Sequence, residues 1–157
     1  MKGELSLWAE ERQTLPDALE LTALSLNEYG RTHRHWVVAY SGGKDSTATV
    51  TVIDWLIAQG RVQAPESLTV LYVDTRMELP PLQASAAQVL ARLQSRGAQV
   101  QTIVPALDKR LLVYILGRGV PPPKNTFRWC TRQLKLDPMR AAQQALIQAH
   151  GEILLIT

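Results

Sequence analysis

The sequence has a single cysteine, Cys130, and no long uninterrupted apolar run. One thiol excludes an internal disulfide, and it excludes any metal or cluster site built only from thiolates of this chain. No window approaches the roughly 18 uncharged apolar residues of a membrane span, and residues 1–14 lack the apolar core of a signal peptide. These absences predict a cytoplasmic protein without membrane contacts.

Charge is modest in total but uneven along the chain, whose net charge is +3. Residues 109–140 carry eight lysines or arginines against one acid, whereas residues 1–30 carry six acids against two cations. A basic segment of this kind indicates a polyanionic ligand, which is either ATP or a nucleic acid. With 157 residues, of which 46% are hydrophobic, the chain has the size of one domain.

Residues 35–47 predict a strand, a tight turn and a helix in direct succession. An apolar run ends at a Ser-Gly-Gly turn, and a helical pattern begins at once, with Asp45 and Ser46 expected to cap it. Glycines allow a ligand to approach the main chain closely, and the first amides of a helix have no partner within it. The position is therefore suited to an anion. The alternative is a turn that only connects the strand to the helix.

Side-chain donors around this turn favour a phosphate chain over a lone carboxylate. Ser41, Lys44 and Ser46 add two hydroxyls and an ammonium group to the backbone amides. The Walker A pattern does not apply, because Val38 stands where its first glycine belongs and Lys44 is not followed by Ser or Thr.

Helix and strand patterns alternate along the remaining chain. We expect helices over residues 15–29, 45–59, 80–96, 107–116 and 137–150, with Gly30, Gly60, Gly97 and Gly151 ending four of them. We expect buried strands over residues 68–73, 99–104 and 153–157. The inward faces of the first two helices are predicted from apolar spacing to contain Leu15, Leu19, Ala23 and Leu26, and Ala48, Val52, Trp55 and Leu56. This order predicts a parallel, Rossmann-like α/β sheet with helices on both faces.

Two residues at the end of the second strand are candidates for nucleotide contact. Asp74 and Thr75 follow a strand expected beside the first one, where they can meet a nucleotide or its magnesium ion. The alternative for Asp74 is a turn-capping role. His33 and His35 precede the first strand and therefore lie at the opposite edge, where we expect surface histidines and no metal site.

Residues 125–135 combine cations, aromatics and the only thiol. Arg128 and Arg132 favour a thiolate or cluster ligand at Cys130, and the alternative is a small buried apolar residue. Arg128, Arg132 and Lys135 form either an anion site or a solvated helix face. Trp129 is expected in the core, with base stacking as the alternative.

The loop of residues 41–46 resembles the pyrophosphate-binding loop (PP-loop) of the ATP pyrophosphatase superfamily. This resemblance implies an adenine nucleotide alpha hydrolase-like fold, and cleavage of ATP between its α and β phosphates. Residues 1–35 would then be a helical lead-in and residues 36–157 the PP-loop domain. The residues implied in nucleotide binding are Ser41, Gly42, Gly43, Lys44, Asp45, Ser46 and Thr47.

Two further motifs resemble the phosphoadenosine phosphosulfate (PAPS) reductase family. They are residues 72–75 followed by Pro80, and residues 127–132 followed by Lys135 and Pro138. The intact loop and the sequence of residues 74–80 are most similar to those of the DndC-type DNA phosphorothioation sulfurtransferases. Together these motifs imply that Asp74, Thr75, Arg128, Arg132 and Lys135 contact the nucleotide, and that Lys44, Asp45 and Cys130 contribute to catalysis.

The resemblance implies a reaction and its partners. With ATP and Mg²⁺, the protein would adenylate an oxygen of a DNA backbone phosphate. Sulfur supplied by a cysteine desulfurase would then displace AMP. The partners would be DNA, the desulfurase and other phosphorothioation subunits. Asp74 would bind Mg²⁺. Cys130 would ligate an iron–sulfur cluster, and a 4Fe-4S cluster would need cysteines outside this chain.

This sequence departs from the family in two ways. Cys130 is its only cysteine, and the sequence ends where the family's substrate loop, which follows the fourth strand, would begin. We therefore expect a domain that is cut short at its C-terminal end. Two alternatives to a nucleic-acid acceptor stay open. One is a small acceptor, as in PAPS reductases, the ATP sulfurylase small subunit or flavin adenylyltransferases, and the other is a non-catalytic nucleotide-binding fragment.

Overall fold

The computed structural model describes residues 14–157. The helices are α1 (Leu15–Gly30), α2 (Lys44–Ala58), α3 (Pro80–Ser95), α4 (Trp129–Thr131) and α5 (Asp137–His150), and the strands are β1 (His35–Tyr40), β2 (Ser67–Val73), β3 (Gln99–Ile103) and β4 (Leu154–Ile156). A 3₁₀ turn, Leu107–Lys109, and two π-helical turns, Val113–Gly117 and Arg132–Leu136, complete the elements. No helix in residues 14–157 has the length and apolar character needed to span a membrane.

The four strands form one parallel sheet in the order β3-β2-β1-β4. The registers pair Tyr40 with Tyr72, so the carboxyl ends of β1 and β2 lie side by side. Because every strand is parallel to its neighbour, the turns that follow β1, β2 and β3 lie at the same edge of the sheet. The predicted fold class is confirmed.

Helices cover both faces of the sheet because neighbouring residues of β1 point to opposite sides. Val38 belongs to a core cluster with residues of α1, α2 and α3, while Val37 packs with Leu71 of β2 and Ala142 of α5. The central strands β1 and β2 are the most buried elements of the fold. They form a rigid base for the loops at their ends.

The predicted inward faces of the first two helices are wrong in part. In α2 the buried residues are Val50, Ile53 and Leu56, whereas Ala48 and Trp55 are exposed. In α1, Ala23 and Leu26 are buried as expected, but Leu15 at the start of the helix is exposed. Spacing alone does not distinguish two overlapping apolar stripes, and contact with the sheet selects one of them.

Several predicted boundaries and environments also need correction. Gly43, without a side-chain cap, is the N-cap of α2, so the predicted capping by Asp45 and Ser46 is wrong. The third strand is mostly exposed because it pairs on one side only, with β2. The predicted helix over residues 107–116 is replaced by a 3₁₀ turn and a π-helical turn.

Gly30 and the histidines of the first connection have roles that the pattern did not show. Gly30 is the last residue of α1 and does not have positive φ, and the buried indole of Trp36 packs against it. His35 is half-buried, with Nδ1 2.8 Å from Ser67 Oγ and its ring stacked on that of His150. His33 and His35 lie before and at the start of β1, as expected, but neither is a fully exposed surface residue.

Candidate functional site

The turn after β1 has a backbone that requires glycine at its centre. Gly42 has φ of +75°, and an added Cβ would lie 3.3 Å from the Cβ of Ala86 on α3. Gly43 has an extended conformation with φ of −81°, so it has no such requirement. The chain therefore passes close to α3 and enters α2 directly from the end of a central strand.

The first turn of α2 presents amides without acceptors. The first main-chain bond of the helix is donated by Thr47 to the carbonyl of Gly43, at 3.0 Å. The amides of Lys44, Asp45 and Ser46 have no acceptor in the described part of the chain. They lie at the positive end of a 15-residue helix, so this position favours an anion.

Two serine hydroxyls face one another across the turn. Ser41 Oγ lies 2.9 Å from Ser46 Oγ, and the amide of Ser41 donates to Ser46 Oγ at 3.2 Å. The hydroxyls of Ser46 and Thr47 both donate to the Gly43 carbonyl, at 3.2 Å and 2.8 Å, and the Thr47 hydroxyl also lies 3.3 Å from that of Tyr40. Ser41 and Ser46 are thus linked across the turn, and Ser46 and Thr47 both hold its central carbonyl.

Lys44 and Asp45 extend from the turn into solvent. Their side chains are 92% and 91% exposed, and Lys44 Nζ lies 4.0 Å from Asp45 Oδ1. An ion pair this exposed holds neither side chain in place. The ammonium group of Lys44 is therefore free to reach an anion bound at the turn.

The end of β2 lies next to this turn and contains the two residues expected there. Asp74 and Thr75 are buried, and Asp74 Oδ1 accepts a hydrogen bond from the amide of Arg76 at 2.8 Å. Asp74 Oδ2 also lies 3.3 Å from Arg76 Nε. The turn-capping interpretation of Asp74 is thus observed, and Arg76 adopts positive φ of 63° as part of that turn.

The structure places a third residue at this turn that the sequence analysis missed, Glu78. Its two carboxylate oxygens accept from the hydroxyl of Thr75 at 2.8 Å and from the amide of Met77 at 3.2 Å. Partial burial raises the pKa of Glu78, but these hydrogen bonds and the charge of Lys135 outweigh it, so the pKa lies below its usual value. The spacing Asp-Thr-x-x-Glu after a buried strand was the available signal.

The same charges affect the aromatic residue beneath the turn. Burial, followed by the charges of Glu78 and Asp74, raises the pKa of Tyr72, which therefore stays protonated at neutral pH. The rings of Tyr72 and Tyr40 lie 5.8 Å apart between centroids. They form the floor between the ends of β1 and β2.

Replacing Thr75 with valine is expected to reduce the free energy of unfolding by about 1 kcal/mol at neutral pH. The substitution removes the hydrogen bond to the Glu78 carboxylate, and such a bond contributes less when the charge is partly exposed to water. Glu78 has a lowered pKa in the folded protein, so its stabilisation is present above its unfolded pKa and is lost as the pH falls through the folded value. The deficit should therefore shrink on acidification. Urea unfolding at neutral pH and near pH 3 measures it.

The matched control is Thr22→Val, because Thr22 donates to the Ala18 carbonyl and to no carboxylate. Its effect should be the same at both pH values. A deficit of Thr75→Val that is equally independent of pH would contradict the assigned role.

Two clefts open along this edge of the sheet. The first, called here the strand-end cleft, has a volume of about 310 Å³ and a mostly apolar lining from the ends of β1 and β2 and from α5, including Tyr40, Ser41 and Met139. The second, called here the cysteine cleft, has a volume of about 500 Å³ and is lined by Thr75, Glu78 and Cys130 among others. Lys135 lines both clefts.

The other residues of the basic segment are not all part of these clefts. Arg128 and Arg132 line neither cleft, and Arg132 Nε lies 3.6 Å from Asp137 Oδ1. The prediction that Trp129 lies in the core is wrong. It is half-buried against the ring of Tyr114, and its Nε1 donates to the carbonyl of Pro121 at 3.1 Å.

The donor sets for the expected metal groups differ in how well they fit. Within residues 14–157, no three His, Cys, Asp or Glu side chains form a metal-binding group. One or two carboxylates suffice for Mg²⁺ when phosphates supply the other ligands, and the Asp74 carboxylate at the end of β2 is of that kind, although it now bonds to Arg76. An iron–sulfur cluster normally requires several cysteines, and a chain with Cys130 alone does not fit one by itself.

Comparison with known proteins identifies the fold. A crystal structure of NAD⁺ synthetase from Burkholderia pseudomallei superposes on this chain with a TM-score of 0.53 and 18% sequence identity. This chain has a fold similar to that of NAD⁺ synthetase. The match covers 88% of this chain and 60% of the synthetase chain. No family model matches the sequence, and no curated protein does.

The likeness agrees with the Rossmann-like parallel α/β sheet expected from the order of helix and strand patterns. At 18% identity the likeness shows the fold alone. The aligned chain spans 60% of the synthetase chain, so an activity of the whole enzyme does not transfer directly.

Proposed function

We propose that this chain binds ATP and transfers AMP from it to an acceptor, releasing pyrophosphate. The observation that carries the proposal is the turn of residues 41–46, which combines three amides without an acceptor in residues 14–157, two serine hydroxyls and a solvent-exposed lysine. That turn lies at the carboxyl end of a central strand, where parallel α/β sheets bind their ligands. The NAD⁺ synthetase fold supports a nucleotide-using enzyme.

The β and γ phosphates would lie at the turn and the remainder of ATP along the strand-end cleft. The amides of residues 44–46 and the Lys44 ammonium stabilise negative charge as it develops on the departing pyrophosphate. The Ser41 and Ser46 hydroxyls would exchange their mutual hydrogen bond for bonds to phosphate oxygens. The apolar lining of the strand-end cleft suits the adenine ring.

In this proposal Lys135 lies where ATP and the acceptor would meet. It lines both clefts, so it can contact the α phosphate of ATP in one and an acceptor in the other. An acceptor oxygen forms a bond to the α phosphorus as the bond to the bridging oxygen of pyrophosphate breaks. Mg²⁺ held by Asp74 and Asp45 would neutralise phosphate charge. A phosphate oxygen as nucleophile requires no general base.

The proposed acceptor is nucleic acid, in sulfur transfer to the DNA backbone as in DndC-type proteins. The support is the motif resemblance together with the exposed cations of residues 109–140. Arg128 and Arg132 would bind phosphates of the DNA outside the clefts. A cysteine desulfurase and other phosphorothioation subunits would supply sulfur and complete the reaction.

A small acceptor is the second candidate, as in the ATP sulfurylase small subunit. The volume of the cysteine cleft, about 500 Å³, favours it, because that volume is typical of small-molecule sites.

Pyrophosphate release from ATP and Mg²⁺ tests these proposals. We expect release to rise when single-stranded or duplex DNA is added, since DNA would supply the attacking oxygen. Release that depends on a small acceptor and ignores DNA would favour the second candidate. Saturable ATP binding without release under any condition would favour a non-catalytic nucleotide-binding unit, and absence of ATP binding would refute the nucleotide site itself.

A further inference from the structure

The cysteine cleft has apolar walls around one ionised carboxylate. Glu78 is half-buried in its lining, and its lowered pKa keeps it charged at neutral pH. The apolar lining comes from several elements, namely Met77, Leu79, Leu82, Leu111, Pro123 and Leu134. A cleft of this composition selects a ligand with an apolar or aromatic body and a hydrogen-bond donor.

Glu78 has capacity for a ligand in addition to its protein partners. A carboxylate accepts about four hydrogen bonds, and Glu78 accepts two, from Thr75 and from the amide of Met77. Because an ionised carboxylate only accepts, a ligand group that faces it must donate. An N–H donor satisfies it, while a carbonyl or phosphate oxygen would be repelled.

One cation lines this cleft, and two more lie close to lining residues along the chain. Lys135 lines the cleft, Lys124 directly follows the lining residue Pro123, and Arg128 is two residues before Cys130. None of these three cations has an ion-pair partner among residues 14–157. The resulting pattern is an N–H-selective interior beneath a phosphate-attracting rim, which matches a nucleotide whose base points inward.

We propose that the cysteine cleft binds an unpaired nucleobase carrying an exocyclic amino group, with Glu78 accepting from that group and the rim cations binding the adjoining phosphates. Cytosine is the simplest such base, because its N4 amino group donates where the O4 atom of thymine accepts. The inference rests on the proposed function with a nucleic-acid acceptor. It adds that a base beside the reacting phosphate is recognised by its amino group.

The test compares the binding of fluorescent oligo(dC) and oligo(dT) of equal length at neutral pH, without ATP. We expect oligo(dC) to bind about tenfold more tightly, the discrimination typical of one good contact to a base edge. Glu78→Gln should remove this preference, because the amide can donate to thymine O4 and still accept from Thr75. Glu66→Gln is the matched control, since Glu66 pairs with Arg34 at the opposite edge and should leave the preference unchanged.

Cys130 supplies an independent readout, because it is the only cysteine in the chain and lines the cleft. Oligo(dC) should slow alkylation of Cys130 by iodoacetamide in the parent protein, and it should do so much less in Glu78→Gln. This comparison also reveals a misfolded variant, since Cys130 would then react rapidly with or without oligonucleotide.

Several results would overturn the proposal. They are equal affinity for the two oligonucleotides, a preference that survives Glu78→Gln, or alkylation that oligo(dC) does not slow. Free cytidine that protects Cys130 at the same concentration as oligo(dC) would assign the cleft to a small heterocycle and overturn recognition of a strand. The assays contain no ATP, so their outcome does not depend on the ATP proposal and its failure stays distinguishable.

Discussion

Replacing Lys44 with alanine is expected to lower ATP-dependent pyrophosphate release by about 100- to 1,000-fold, the usual loss when one preorganised charge-stabilising donor is removed from an active site. The side chain is 92% exposed, so the substitution should leave the fold intact. Its effect should fall on the turnover number more than on the KM for ATP, because charge on pyrophosphate grows in the transition state. Steady-state assays of pyrophosphate release measure both constants.

Arg34→Ala is the control for this substitution. Arg34 is also an exposed cation, but it precedes β1 and pairs with Glu66 at the edge of the sheet opposite to the turn. Removing it changes the net charge equally and should leave the rate within about twofold, since exposed charges separated by more than a Debye length are screened. Equal rates for the parent and Lys44→Ala would exclude a direct role of Lys44.

The fold and the turn of residues 41–46 were predictable because their signals are local. Two apolar strands, Ser67–Val73 and His35–Tyr40, end at polar turns, and the intervening helix signals leave a parallel arrangement as the simplest topology. Gly42 illustrates the local signal at the site, since its position between a strand and a helix already indicated the unusual backbone that the structure shows.

The parts that failed depend on contacts between distant segments. Trp55 fits the apolar stripe predicted for α2, yet it is 41% exposed because the sheet contacts the stripe that contains Ile53 instead. The spacing of Glu78 from Thr75 is a local signal, but the charge of Lys135 that also lowers the pKa of Glu78 comes from a segment more than 50 residues away. Likewise, nothing in residues 125–135 indicates that Lys135 alone of the three predicted cations lines both clefts.

Gly30 shows how a correct boundary can have the wrong cause. The sequence predicted that Gly30 ends α1, a position at which glycine commonly adopts positive φ, and the helix does end there. The residue after it, Arg31, continues in a right-handed helical conformation, and Gly30 itself has no positive φ. Instead the indole of Trp36, which is 1% exposed, occupies the space where a side chain would be, so the requirement for glycine is one of packing.

Gly30→Ala is therefore expected to destabilise the protein, although alanine is the better helix former by about 1 kcal/mol. The added methyl group would overlap the rigid Trp36 ring, which places its cost in the upper part of the range of about 1–3 kcal/mol typical of overpacking, so the net change should be a loss of roughly 1–2 kcal/mol. At this chain length that loss lowers Tm by about 2–8 °C. Calorimetry or thermal circular dichroism measures it.

The control and a compensating change distinguish packing from helix propensity. At Gly117, which has no positive φ, an added Cβ would meet only Val113 Cγ1 at an ordinary 3.8 Å, so Gly117→Ala should be neutral or slightly stabilising. Trp36→Phe alone should destabilise by leaving a cavity, and it should provide the room that Gly30→Ala needs. The double variant should thus lose less stability than the sum of the two single losses. If the two losses were strictly additive, Gly30 and Trp36 would not constrain each other. The smaller phenylalanine ring can relieve the effect of Gly30→Ala only if the two side chains compete for the same space.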